Sequence, residues 1–199
     1  MAHSLILASG SKIRSEVLTN ACISHDSIKP MVDEDMIFRS LLAEGAPPRD
    51  IADTLAEFKA RKVSDKNPGR LVLGCDQVLA IDGQVLQKPT SRENLIEQLT
   101  LLRGKRHMLL SAAVIYEDGK PLWRHVGTVR MYMRELSDAY ITSYVDRNWE
   151  AVQYCVGGYQ LENEGSRLFT RIEGDYFNVL GIPLFEIVNY LCLRGDIET

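Results

Sequence analysis

Three stretches of this chain bring together residue types that suit a phosphate group or a metal ion. Ser9-Gly10-Ser11-Lys12-Ile13-Arg14 sets two hydroxyls, a glycine and two cations side by side. Where a strand hands over to a helix, such a run gains the oriented N–H donors and partial positive charge of the helix N-terminus. Arg14 then offers a planar fork to phosphate oxygens. The same residues also read as an ordinary helix cap followed by surface cations. No G-x-x-x-x-G-K-[ST] is present, and the hydroxyl precedes the lysine, so the phosphate-cradling P-loop is not written here.

Asp76 follows Leu71-Val72-Leu73 and precedes Val78-Leu79-Ala80, which places a carboxylate inside an apolar strand. Burying an ionised acid costs several kcal/mol, on the order of what a metal or a cation must offset. Asp76 is therefore a candidate metal ligand or general base, the alternative being an edge acid facing water. Lys88-Pro89 lies beyond an Asp82-Gly83 turn and would return beside Asp76 across a hairpin, pairing cation with carboxylate. Val32-Asp33-Glu34-Asp35 offers oxygen ligands for a hard divalent cation, or is a solvated acidic loop. Lys59 falls within a helical run and would ordinarily be a surface residue. The glycine-bounded stretch from Gly157-Gly158 through Glu162 to Gly165 joins flexibility to polar side chains able to read a ligand edge. His3, His25, His107 and His125 have no metal-ligand spacing, and neither G-x-S-x-G nor G-x-G-x-x-G occurs, which leaves serine-hydrolase and dinucleotide-fold readings without support.

The elements that must position these residues follow from periodicity. Leu5-Ile6-Leu7-Ala8 has the continuous apolar pattern of a strand buried on both faces, and Lys12–Asn20 is helical. Pro47-Pro48 opens a second helix with Ile51, Leu55, Phe58 and Val63 on one face, stopped by Asn67-Pro68-Gly69. Leu71–Ala80 reads as a long strand whose hairpin returns through Val85 and Leu86. Ser91 caps a helix through Leu102. Met108–Tyr116 and Pro121–Met133 flank Asp118-Gly119 as an antiparallel ribbon, and Ser137–Asp146 is a further helix. Leu168–Ile172 is strand-like, and Ile182-Pro183 opens a last helix through Leu193. Strands alternate with helices while hairpins break strict βαβ repetition, so the expected class is α/β, a mixed β-sheet with flanking helices.

Composition sets the outer limits. With 199 residues, 45% hydrophobic and 25% charged, the chain has the apolar mass for one domain over 1–199, at roughly 100–200 residues per domain. The longest nearly apolar stretch, Met108–Tyr116, is far below the roughly 20 residues of a membrane span. The opening residues lack the basic leader and long apolar run of a secretory signal, which points to a cytoplasmic protein. Cys22, Cys75, Cys155 and Cys192 stand far apart and are expected as reduced, mostly buried thiols. A net charge of −4 argues against broad nucleic-acid binding and leaves room for a local basic pocket.

Taken jointly, four segments resemble the Maf family of nucleoside triphosphate pyrophosphatases over nearly the whole chain. They are Leu5-Ile-Leu-Ala-Ser-Gly-Ser-Lys-Ile-Arg14, Val32-Asp-Glu34, Gly74-Cys-Asp-Gln-Val78 with Lys88-Pro89, and Arg171-Ile-Glu-Gly-Asp-Tyr-Phe-Asn-Val-Leu-Gly-Ile-Pro183. The resemblance implies a mixed-sheet fold with two lobes around a nucleotide cleft, one that commonly forms a homodimer. It also implies hydrolysis of a nucleoside triphosphate between the α and β phosphates with a divalent metal, Mg, Mn or Co. Asp76 matches the family's catalytic acid, the proton acceptor. Ser9, Arg14, Glu34, Lys59 and Lys88 match positions around the phosphates and metal, with Glu34 and Asp76 the expected metal ligands.

Within the family, three places separate the subfamilies, and here they hold Ile13, Gln77 and Glu162. The thymidine/uridine triphosphate branch resembles Arg, Thr, Gln at these places, and the 7-methyl-GTP branch resembles Trp, Gln, Glu. Two of three thus match the methylguanine branch. Glu162 could accept from guanine N1–H and the exocyclic amine and would favour a cationic ring. Ile13 lacks the aromatic face that stacks such a ring, and Trp123 and Trp149 are candidates to supply it. Lys12 and Asn163 replace the family's usual Pro and Gly. The expected function is hydrolysis of a modified nucleoside triphosphate. A dTTP/UTP pyrophosphatase is the alternative within the family, and a non-catalytic nucleotide sensor in cell-division control the alternative outside it.

Overall fold

The structure is a computed structural model that describes residues 5–198; His3 lies outside them. Leu5–Ala8, buried at all four positions, forms β1 and ends at Ser9. The Ser11 side chain then caps α1 (Lys12–Asn20) by accepting from the Arg14 N–H. β2 (His25–Ser27) lies parallel to β1 at the sheet edge. Its three polar residues have no apolar alternation, so nothing in the sequence pattern announces it.

The acidic run is not a loop. Asp33 caps α2 (Glu34–Ala43), accepting from the Met36 N–H at 3.0 Å, and Glu34 and Asp35 occupy the first turn, where the helix dipole favours negative charge. α3 follows over Pro48–Ser64. β3 (Val72–Ile81) turns through Asp82-Gly83 into β4 (Gln84–Leu86), and α4 spans Arg92–Leu102 under its Ser91 cap. β5 (Arg106–Glu117) and β6 (Lys120–Met133) form the expected ribbon. α5 (Asp138–Val152) continues past the expected end at Asp146, because Val152 still has the core to bury against. Short 3₁₀ turns at Val156–Gly158 and Glu164–Leu168 fold the late loop before β7 (Phe169–Glu173), a single turn α6 (Tyr176–Val179) and α7 (Leu184–Arg194).

The seven strands make one mixed sheet in the order β2-β1-β3-β5-β6-β7, with β4 also on β3. β1 is parallel to β2 and β3; all other pairs are antiparallel. Side chains of β3 alternate faces. Leu73 and Cys75 pack with Leu7, Leu18 and Ile187 beneath α1 and α7, whereas Val78 and Ala80 pack with Ile51, Leu55 and Ala56 of α3. Farther along, Leu79 and Ile81 join Leu95, Leu99, Tyr144 and Phe169 in a separate body of core around α4 and α5. One sheet therefore supports these three packing bodies, and β3 contributes to each.

α3 lies unusually close to β3. A Cβ at Gly74 would sit 2.2 Å from the Ala56 carbonyl oxygen and 2.8 Å from the Ala60 Cβ. Only the small-residue seam Ala52, Ala56 and Ala60 fits there, which turns Phe58 outward to 44% exposure, against the face expected from spacing.

Strand pairing leaves a notch. On one edge of β3, β1 covers Val72–Gly74 and β4 covers Leu79–Ile81, and among the described residues no strand lies against Cys75–Val78. β5 meanwhile pairs continuously along the other edge, from Val72 to Ala80. Asp76 and Gln77, pointing to opposite faces, both border the gap.

All four cysteines are free, but only Cys75 is buried; Cys155 and Cys192 are half-buried and Cys22 is exposed, fewer under cover than the composition suggests. Among the described residues no helix is long and apolar enough to cross a membrane.

Candidate active site

A cleft of about 660 Å³ opens over the notch in β3. Ser9, Ile13, Arg14, Glu34, Lys59, Asp76, Gln77, Lys88 and Glu162 all line it. Asp33 and Asp35 of the acidic run do not, and neither do His25, His107 or His125.

Asp76 and Lys59 form the buried centre. Asp76 is 7% exposed and Lys59 5%, although a lysine in a helical run was expected at the surface. Lys59 stands one turn beyond Leu55 and one before Val63, on the face of α3 that packs against β3. Its ammonium lies 2.6 Å from Asp76 Oδ1 and 2.8 Å from Glu34 Oε2, so one buried cation joins the carboxylates of β3 and α2. The cation against Asp76 is thus Lys59. Lys88 reaches the same cleft from beyond the hairpin, as an exposed residue of its wall. Beside Asp76, burial pushes the Cys75 thiol up to about 11, so it stays protonated and is not a nucleophile.

Arg14 is committed to the scaffold as well as to the cleft. Its Nε donates to the Gly181 carbonyl at 2.8 Å, and one terminal nitrogen donates to the Cys75 carbonyl at 3.0 Å and to Ser9 Oγ at 3.4 Å. The Cys75 carbonyl belongs to the uncovered edge of β3, so Arg14 supplies the donor that a neighbouring strand would have given. Ser9 Oγ also accepts from the Ser11 N–H at 3.1 Å. The remaining terminal nitrogen of Arg14 makes no hydrogen bond among the described residues.

Gln77 is fixed by the segment before α7. Its amide nitrogen donates to Ser111 Oγ at 2.9 Å and to the carbonyls of Asn178 and Val179 at 2.9 and 3.1 Å. Ser111 Oγ itself donates to the Asn178 carbonyl at 2.7 Å. Asp175 caps α6 through the Asn178 N–H and also binds the Asn178 side-chain amide. With both donors spent on the protein, Gln77 presents its amide oxygen as the group able to accept.

The late loop forms the facing wall. Glu164 holds it to α5, meeting two nitrogens of Arg147, the nearer at 2.6 Å, and Asn148 Nδ2 at 2.8 Å. Those donors hold the Glu164 carboxyl down to about 2. Glu162 projects from the same loop, exposed; burial raises the nearby Cys155 thiol, the Glu162 charge adds to that rise and the Lys88 charge opposes it. Neither tryptophan supplies an aromatic face: Trp123 stacks on His125 and Tyr190, and Trp149 packs in the α4/α5 core. The aromatic ring at the cleft mouth is Tyr154, 73% exposed and without a hydrogen bond among the described residues.

Tyr154 was missed because its position just past α5 fits an ordinary surface turn. Lys29 was also missed; its stem borders Gly10, with Cγ 3.6 Å from where a Cβ on that residue would stand. With Lys12, Arg14, Lys59 and Lys88 it gives five cations against three carboxylates in the lining, a basic pocket within a chain of net charge −4. The pocket suits a compact polyanion with a planar group attached. Among the described residues no three His, Cys, Asp or Glu side chains come together as a metal cage. Glu34 and Asp76 nevertheless share one cation, and two carboxylates completed by substrate phosphates and water are a donor set that suits Mg²⁺.

Comparison with known proteins agrees with the geometry. The family described as Maf-like protein matches residues 4–193. The chain is 59% identical over 199 residues to a nucleoside triphosphate pyrophosphatase of Ruegeria pomeroyi, with both chains fully covered. It is 47% identical over 189 residues to a nucleoside triphosphate pyrophosphatase of Caulobacter vibrioides, covering 95% of this chain and 94% of that one. A 7-methyl-GTP pyrophosphatase of Brucella abortus is 43% identical over 199 residues, 98% of this chain and 100% of that one.

Proposed function

The chain belongs to the Maf family, and from that premise we propose that it is a nucleoside triphosphate pyrophosphatase, releasing nucleoside monophosphate and pyrophosphate by attack of water on the α-phosphorus. The observation that carries this reading is the convergence of Asp76, Lys59, Glu34, Arg14 and Lys88 on one cleft over the β3 notch. Phosphoryl transfer needs mainly positioning and charge neutralisation, and these residues offer both. Asp76 accepts a proton from the attacking water through Oδ2, the carboxylate oxygen that Lys59 leaves open in this structure. Lys59, Lys88 and the free terminal nitrogen of Arg14 take the charge that develops on the phosphates and on the departing pyrophosphate. Glu34 and Asp76 would hold a divalent cation, which when bound neutralises phosphate charge and makes a coordinated water more acidic.

For the base we propose a guanine ring methylated at N7. Glu162 accepts from N1–H and the exocyclic amine, the Gln77 amide oxygen accepts from a second donor, and Tyr154 gives the flat face that Ile13 lacks. The 43% identical relative named for 7-methyl-GTP supports this choice. The test is pyrophosphate release by the wild type and Asp76→Asn across the ordinary triphosphates and 7-methyl-GTP, with magnesium, manganese or cobalt. Release that depends on Asp76 and is fastest with 7-methyl-GTP is expected. Preference for dTTP or UTP would keep the reaction and reverse the base assignment, and binding without release would make the chain a nucleotide sensor.

A further inference from the structure

Lys59 sits where two carboxylates converge, and its burial constrains what else can happen there. Its side chain is 6% exposed and that of Asp76 10%, while Glu34 closes the outer side at 42%. At 2.6 and 2.8 Å the ammonium meets both acids at charge-assisted hydrogen-bond distance. A second cation on the same two oxygens would stand against a like charge at close range with little water between them. Lys59 leaves only when another anion offers its ammonium partners, because a buried ammonium without partners is costly. Among the described residues the only other acid lining the cleft is Glu162, which comes from the late loop and has no contact with Lys59. The triphosphate is such an anion.

We propose that Lys59 is a resident counter-ion that stands in for the divalent cation until nucleotide binds. The inference rests on the reading of Glu34 and Asp76 as the metal-holding pair and goes beyond it by fixing the order of events. Nucleotide phosphates draw the Lys59 ammonium off the two carboxylates, and the metal enters with the nucleotide onto the oxygens so released. The free protein therefore takes up divalent cations weakly, and removal of the Lys59 charge opens the site without any nucleotide. Beside its contact with the phosphates, Lys59 acts on the metal through Glu34 and Asp76.

The experiment is Mn²⁺ binding to the nucleotide-free protein, read from the EPR signal of free Mn²⁺, for the wild type, Lys59→Met, Lys59→Arg and the double variant Lys59→Met/Glu34→Gln. Lys59→Met is expected to bind Mn²⁺ about tenfold or more tightly than the wild type, within the range of ordinary coupling between two sites. Lys59→Arg, which keeps the cation, should stay as weak as the wild type, and the double variant should lose the gain. Equal Mn²⁺ affinity in the wild type and Lys59→Met would overturn the proposal. Should Lys59→Met fail to fold, the wild type decides alone. Mn²⁺ should bind it only with the α,β-methylene analogue of GTP present, giving a spectrum distinct from that of Mn²⁺ with the analogue alone, and tight uptake without the analogue would overturn the proposal. Loss of pyrophosphate release with these metal results intact would remove the reaction and spare the counter-ion. Release with Mn²⁺ indifferent to Lys59 would do the reverse.

Discussion

Arg14 ties three parts of the chain to one point, because its guanidinium spans Gly181, Cys75 and Ser9 while one terminal nitrogen makes no hydrogen bond among the described residues. A lysine keeps the charge but has neither the planar fork nor the reach to hold two carbonyls at once. Arg14→Lys should therefore lower kcat/KM about 100-fold, the scale of a misplaced catalytic group. Its thermal midpoint should fall only modestly, and steady-state kinetics beside a melting curve separate the two effects. Tyr154 makes a different kind of contribution. Its ring is exposed and makes no hydrogen bond among the described residues, so Tyr154→Ala should leave stability unchanged, within about 0.5 kcal/mol. It should cut the preference for 7-methyl-GTP over GTP by about 3- to 30-fold, the worth of a cation–π contact of roughly 0.5–2 kcal/mol. Tyr154→Phe should retain the preference, and an unchanged substrate ranking in Tyr154→Ala would take the ring out of recognition.

At the scale of elements, the site depends on the spacing of α3 from β3. Gly74→Ala would drive a methyl into the Ala56 carbonyl and Ala60, and overpacking of this kind costs about 1–3 kcal/mol. Because Lys59 follows Ala56 on the same helix, the displacement should also lengthen the Lys59–Asp76 contact. Gly74→Ala should lose activity out of proportion to its loss of stability, measured as turnover at a temperature where it is fully folded. The same contact explains what the sequence concealed. The spacing of Ile51, Leu55 and Phe58 is helical, yet the face that packs is the alanine seam, and the glycine that demands small partners lies on a strand sixteen positions away from Phe58. Lys59 was nevertheless open to inference, since it falls four residues from both Leu55 and Val63. Asp76 stood out because a carboxylate interrupts an apolar strand. β2 had no such signal, being three polar edge residues, and the start of α2 was hidden because an acidic cap and an acidic loop read alike.

Across the whole molecule, strand alternation and turn residues make most of the elements legible, but the notch that makes the site is a property of pairing. It arises because β1 stops at Ala8 and β4 ends opposite Leu79, and no local pattern records which residues of β3 stay uncovered. The wall facing the notch rests on a buried histidine. His107 Nε2 shares a hydrogen bond of 2.8 Å with the Tyr159 hydroxyl, with Phe169 beside both, while its Nδ1 has no partner among the described residues. Protonation would leave a charged N–H with no acceptor among the described residues, and burial lowers the His107 pKa from 6.5 to about 4. The unfolded chain therefore takes up this proton first. The stability that depends on neutral His107 is fully present above pH 6.5 and is lost as pH falls from 6.5 toward 4, by about 3 kcal/mol in all. Glu164, held down to about 2, loses its own contribution only below its ordinary value of 4.5, so the interval from pH 5 to 6.5 isolates the histidine. Denaturant unfolding across that interval should show the wild type weakening with acid and His107→Gln nearly flat. A parallel slope in the two proteins would assign the acid sensitivity to other groups.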